Sequence, residues 1–212
     1  MPYVLAVASH KGGTGRTTAA LALAWTWGAA GRRVLFVDAD PVAAAGLVCR
    51  GADGVCRWPN VATAAGLPDR FPADADVAVI DCPALTEPAA QAVLVRCDGV
   101  LLTSLPDPLS LRTVPVAAAA VRQARRTRPG LEVLGLMIPV LNPADPLAAD
   151  MMARLRAGHA DLLVEPPVPA RPEAADWPLS PGSDLPAGPV REAYARVAAA
   201  LEAIIGAAAA RR

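Results

Sequence analysis

Short, unbroken apolar runs recur along this chain, and longer segments with helical spacing lie between them. Residues 4–8, Val-Leu-Ala-Val-Ala, have no polar alternation, as expected of a parallel strand buried on both faces. Residues 17–30 then read as an Ala- and Leu-rich helix with Leu21, Ala24, Trp25 and Gly28 on one face and Gly31 as its stop. Residues 33–38 form a second apolar strand that ends in an acid, and Asp38-Ala39-Asp40-Pro41 leaves the sheet. Residues 42–75 are broken by Gly, Pro and polar positions; the pattern predicts a short helix near 42–48 and a strand near 55–58. A third clear strand, 77–83, again carries an acid at its end, Asp81.

A helix over 87–95, a strand over 99–104 and the turn Pro106-Asp107-Pro108 follow. One long helix is predicted over 109–126, a strand within 131–140, and a helix over 145–157 with Leu147, Met151 and Leu155 at four-residue spacing. A short strand at 162–164 comes last. Residues 166–189 hold eight of the 22 prolines, which predicts an ordered loop or linker. Val190, Tyr194, Val197, Leu201 and Ile204 mark one stripe of a final helix, and 207–212 read as a frayed end. Strands alternating with helices predict an α/β fold with a mostly parallel sheet, and no second domain is delimited within 1–212.

Composition narrows the function. The formal charge is zero, so any nucleic-acid or membrane surface must be a local patch. No apolar run approaches the roughly 18–20 residues of a membrane span, and no signal peptide is expected. The four cysteines lack C-x-x-C spacing, which predicts reduced, mostly buried thiols in a cytosolic protein. Of 20 basic residues, Lys11 is the only lysine, so it stands where arginine would not serve.

The chemistry gathers at strand ends. Ser9-His10-Lys11-Gly12-Gly13-Thr14-Gly15-Arg16-Thr17-Thr18 lies between a strand and a helix, the setting of a glycine-rich phosphate loop. The N–H groups from Gly12 to Thr18 and the helix N-terminus would cradle phosphates. This context predicts a P-loop NTPase-type three-layer sandwich, its sheet flanked by helices. Thr17 holds the position whose hydroxyl meets Mg²⁺ in such loops, Asp81 would hold the ion through water, and Asp40 would orient an attacking water or join the metal. Asn142 is a candidate for contacting adenine or a turn residue before Pro143. Arg122, Arg125 and Arg126 share a predicted helix face, either a non-specific DNA contact or a solvated face.

K-G-G-T-G-R-T-T resembles the deviant phosphate loop K-G-G-x-G-K-T-[ST] of the ParA/MinD partition ATPases. Asp38-Ala39-Asp40-Pro41 resembles their first switch, D-x-D-P, and Val79-Ile80-Asp81-Cys82-Pro83 their second. Val168-Pro169-Ala170-Arg171 with Gly182 is similar to the segment near the base, which brings Pro169 into the nucleotide site. The resemblance implies ATP and Mg²⁺ as cofactors and an ATP-dependent homodimer closed face to face. It makes Lys11 a catalytic group that reaches the partner's phosphates. It also implies a ParB-like or other adaptor that stimulates hydrolysis, and a cytoplasmic location, on the nucleoid where DNA is bound.

Two departures qualify this. His10 replaces the first glycine of the general pattern, and Arg16 stands where the family has its second lysine. Arg16 either grips the nucleotide with slow hydrolysis or weakens ATP binding, and the first outcome is expected. Val42 replaces the glutamine that follows D-P in the family. The final helix has few basic residues on its polar side, so packing on the sheet, not a membrane, is its expected role.

Overall fold

The computed structural model describes residues 1–40, 45–50 and 54–209. Pro41 and Val42, the start of the helix predicted at 42–48, and Ala210 to Arg212 lie outside the described residues.

Seven strands form one sheet: β1 (Tyr3–Ala8), β2 (Val34–Asp38), β3 (Val61–Ala65), β4 (Val77–Asp81), β5 (Gly99–Thr103), β6 (Glu132–Met137) and β7 (Leu163–Val164). Their order is β3-β2-β4-β1-β5-β6-β7, and every pair is parallel. The continuous apolar runs account for this. β1, β4 and β5 are buried along nearly their whole length, with both faces covered. Alternate residues feed two cores. Leu5, Val7, Phe36 and Val79 face α1 (Arg16–Ala29) and α8 (Pro189–Ala209). Val4, Ala6, Leu35 and Ile80 face α3 (Pro88–Leu94), α5 (Val114–Ala124) and α6 (Pro146–His159).

β1 is the pivot of the topology. From it the chain goes first to β2 and β4 on one side, then to β5 on the other. The crevice at the C-terminal end of β1 is therefore the expected ligand position.

Several elements differ from expectation. α1 has no solvent face, because Ala19 to Gly28 are all buried between the sheet and α8. Gly28 permits this closeness: a Cβ there would lie 2.3 Å from the Pro59 carbonyl oxygen. The strand predicted at 55–58 is reduced to a bridge between Cys56 and Arg50. Trp58 is instead buried by stacking on Trp177, ring centroids 5.4 Å apart. β3 was not predicted, because its half-exposed Ala/Thr sequence gives a weak pattern. Besides α2 (Ala45–Val48), the first half of the predicted helix is outside the described residues. The long helix at 109–126 is two helices, α4 (Pro108–Arg112) and α5, separated at Thr113. On α6 the buried positions are Ala148, Met152 and Leu155, whereas Leu147 is 49% exposed.

The proline-rich segment is an ordered loop with a short helix, α7 (Pro172–Asp176). Trp58 and Trp177 both donate indole N–H bonds to the Ser183 carbonyl, at 2.8 and 3.2 Å, and Leu185 is fully buried. The final helix packs by the predicted stripe: Val190, Tyr194, Val197 and Leu201 are buried. It remains helical through Ala209, so 207–209 are not frayed. All four cysteines are free thiols.

Tyr194 is 1% exposed, and its hydroxyl has no hydrogen-bond partner among the described residues. Burial pushes its phenol well above the usual range. An unsatisfied buried hydroxyl costs about 1–3 kcal/mol, so Tyr194→Phe should stabilise the chain by about 1 kcal/mol. Urea unfolding measures this; a lower midpoint for the variant would show that the hydroxyl has a partner.

Candidate nucleotide site

The site is assembled from three strand ends that the sheet register brings level. Val7 pairs with Asp81 across β1 and β4, and Asp38 pairs with Asp81 across β2 and β4. The loop of residues 9–15 leaves β1 at this edge and turns into α1. Gly15 caps α1 with φ 75°, a left-handed conformation that suits glycine, and its carbonyl accepts the Ala19 N–H at 2.9 Å. A Cβ at Gly15 would lie 2.7 Å from Pro139 Cγ, so the loop rests directly on the segment after β6.

The loop is pinned from beneath. The Ser9 hydroxyl donates to the Lys11 carbonyl at 2.8 Å. The buried Thr14 hydroxyl shares a 3.2 Å bond with Thr103 at the end of β5. Above the loop lies an open cavity of about 220 Å³, lined by Lys11 and by Gly13, Thr14, Gly15, Arg16, Thr17 and Thr18. Gly12 is exposed beside it. Larger clefts occur elsewhere, including one of about 840 Å³ around Tyr3, Arg70 and Arg96, but they lie away from the loop. Lys11 is half-buried and makes no ion pair among the described residues. Its ammonium acts on Asp107: burial works against ionisation there, yet bonds from Ser110 and the Lys11 charge hold the carboxyl below its usual range.

Arg16 departs most from expectation. It was expected to grip a nucleotide; it lines the loop cavity, and its guanidinium pairs with the two acids. Nη2 lies 2.9 Å from Asp40 Oδ2 and Nε lies 3.2 Å from Asp81 Oδ1. Nη1 approaches the Ser9 hydroxyl at 3.5 Å. The residue is 9% exposed and Asp81 only 1%. Burial pushes the Asp81 carboxyl up to about 6, against the bond from the Thr17 hydroxyl and the Arg16 charge. Thr17, Asp40 and Asp81, predicted as a metal set, are thus brought together, but around a guanidinium. As arranged, they do not fit a divalent ion.

Asn142 and Pro169 lie side by side at the same edge, where Leu141 and Pro169 form a parallel bridge. The Asn142 side-chain oxygen accepts the Ala144 N–H at 3.1 Å, so it is used in the turn before α6. Gly182 is elsewhere: its N–H binds the Val48 carbonyl beside α2. The arginine face is not formed as predicted. α5 ends at Ala124; Arg125 lies beyond it and donates to the Leu131 carbonyl, and Arg126 approaches Gln123. Arg122 stays exposed.

Sequence reasoning placed Ser9 in the loop without a role of its own, and missed Thr103 and Pro139. Thr103 had a signal, as the polar residue closing a strand at the ligand edge. It also missed that Cys49 and Cys56 meet, where the bond from Cys49 holds the Cys56 thiol below its usual range.

Comparison with known proteins agrees with this fold. A match to the CobQ/CobB/MinD/ParA nucleotide binding domain spans residues 5–180. The chromosome-partitioning ATPase Soj of Thermus thermophilus is 26% identical over 92% of this chain and 93% of its own length. The maintenance of carboxysome distribution protein A of Halothiobacillus neapolitanus is 29% identical over 69% of each. The septum site-determining protein MinD of Pyrococcus horikoshii, complexed with Mg-ADP, superposes with TM-score 0.72 at 21% identity, covering 98% of this chain and 99% of that one. No described helix is long and apolar enough to cross a membrane.

Proposed function

The chain belongs to the CobQ/CobB/MinD/ParA nucleotide-binding family, whose ParA/MinD-type members are ATPases, and from that premise we propose that it is a ParA-like ATPase closing as an ATP-dependent homodimer to position DNA or another large cellular cargo. One ATPase domain spans residues 1–212 in this reading, and turnover is low. The names of the two relatives, a chromosome-partitioning ATPase and a carboxysome-distribution protein, support a cargo-positioning role.

The single observation that carries the reading is Lys11. The only lysine of the chain borders the loop cavity with no ion pair of its own among the described residues. A cation so placed is available to a second copy's phosphates, where it would counter charge developing on the transferred phosphoryl group. In this reading the N–H groups of Gly12 to Thr18 take the phosphates of the chain's own nucleotide, and the Asn142 amide and Pro169, neighbours across the Leu141–Pro169 bridge, take the base.

Arg16 favours the low-turnover end of this reading, a dimerising switch or scaffold that hydrolyses little. Its guanidinium engages Asp40, the residue expected to orient water. An adaptor of the ParB type would then be the stimulating partner, and ATPase rates with and without DNA and adaptor separate switch from motor. DNA is the weaker partner, since Arg125 already serves the chain's own carbonyl. The location that fits is the cytoplasm.

Size-exclusion chromatography tests the dimer. Wild type should elute as a dimer with ATP and a monomer with ADP. Lys11→Ala should weaken the ATP dimer by about tenfold or more, the loss of about 1.4 kcal/mol of contact. A wild type that stays monomeric with ATP overturns the dimer.

A further inference from the structure

The groups a divalent cation would use are already engaged with one another. Asp81 shares Arg16 with Asp40, and the neighbouring Thr17 hydroxyl works to hold its carboxyl down. The three guanidinium nitrogens are distributed over three acceptors, Asp81 at 3.2 Å, Asp40 at 2.9 Å and Ser9 at 3.5 Å. This is a use of the planar fork that a lysine could not copy, because an ammonium is a single point of charge. The fork is 9% exposed, so solvent ions screen it little. A divalent ion placed at Thr17 and Asp81 would stand against this buried, fixed positive charge, and Arg16 would have to leave both acids to admit it.

Leaving is disfavoured by the surroundings. Asp81 is 1% exposed at the end of a fully buried strand. With the guanidinium gone it would keep only the Thr17 hydroxyl among the contacts described above. Arg16 itself is the first residue of α1, a helix with no solvent face, so its backbone is fixed and only the side chain can move. The phosphate-facing donors do not depend on that side chain. Arg16 also lines the cavity, but Lys11, the loop N–H groups and the N-terminus of α1 are donors apart from its side chain.

We propose that the Arg16 guanidinium holds the place of the divalent cation between Asp40 and Asp81, so that this chain binds nucleoside triphosphate without a divalent metal. The proposal rests on the nucleotide reading of the site given above. It makes Arg16 the residue that sets the metal dependence of the site. Lysine at this position would release the acids from the fork and restore that dependence.

Two measurements on the full chain test it. In the first, binding of a fluorescent ATP derivative is titrated with magnesium and with EDTA. Wild type should change by no more than about threefold between the two, and Arg16→Lys should bind about tenfold or more tightly with magnesium than with EDTA. In the second, Mn²⁺ is titrated without nucleotide and followed by electron paramagnetic resonance. Wild type should leave the free-ion signal intact, and Arg16→Lys should deplete it. A wild type that loses about tenfold or more affinity in EDTA, or that takes up Mn²⁺ as the variant does, overturns the proposal. If no nucleotide binds under either condition, the nucleotide reading fails, and the Mn²⁺ titration still decides whether Arg16 excludes the ion. If Arg16→Lys does not fold, the wild-type comparisons decide alone.

Discussion

Gly15→Ala should weaken nucleotide binding by about 100-fold or more, roughly 2.7 kcal/mol. Two costs combine at this position. The backbone is left-handed, φ 75°, which costs an L-residue about 1–2 kcal/mol. The new Cβ would lie 2.7 Å from Pro139 Cγ and 3.2 Å from its Cβ. Pro139 is a closed ring on a chain segment joined to β6, so it cannot rotate aside as a long side chain would. The loop must shift instead, and Gly15 both starts α1 and orients the N–H groups that face the cavity. Gly15→Ala combined with Pro139→Gly separates the two costs. The double variant should recover the steric part and retain the left-handed penalty. Calorimetric titration with ATP measures both, and a Gly15→Ala protein that binds within about threefold of wild type would show that the loop does not hold the phosphates.

The sequence made the frame of this site legible because its signals are local. Apolar runs ending in Asp38 and Asp81, with a glycine-rich loop between strand and helix, need no tertiary information to be placed at one sheet edge. β3 was not legible for the opposite reason. It is an edge strand of Ala and Thr, held by pairing with β2 rather than by its own pattern. Trp58 resembled strand material, but its burial comes from Trp177, far along the chain. The break between α4 and α5 did have a local signal. Pro115 sits in the first turn of α5, where proline begins a helix rather than continuing one.

The course of Arg16 was not legible at all. It is set by the β2–β4 register, which brings Asp38 level with Asp81 and so carries Asp40 to within reach of the same guanidinium. No pattern along the chain encodes which carboxylates a buried arginine side chain will choose.

That choice has a consequence for folding that can be measured without any ligand. Arg16→Ala should lower stability at neutral pH by about 3 kcal/mol, because removing one partner of a buried ion pair leaves the other uncompensated. Asp81 is 1% exposed and Asp40 about a quarter exposed at its side chain, so Asp81 bears most of the loss. Lost packing of the arginine stem could mimic this effect, and Arg16→Met distinguishes the two. Methionine restores apolar contact but no charge, so it should recover less than about 1 kcal/mol. Adding Asp81→Asn to Arg16→Ala should recover more than methionine does, since it removes the stranded charge itself. Denaturant unfolding gives all three values. An Arg16→Ala midpoint shift worth less than about 0.5 kcal/mol would mean that the acids are solvated without the arginine, and the guanidinium would then be free to leave them for a phosphate. A large loss means that the network stabilises the nucleotide-free fold. Any ligand that needed Asp40 or Asp81 would then have to displace an internal cation first.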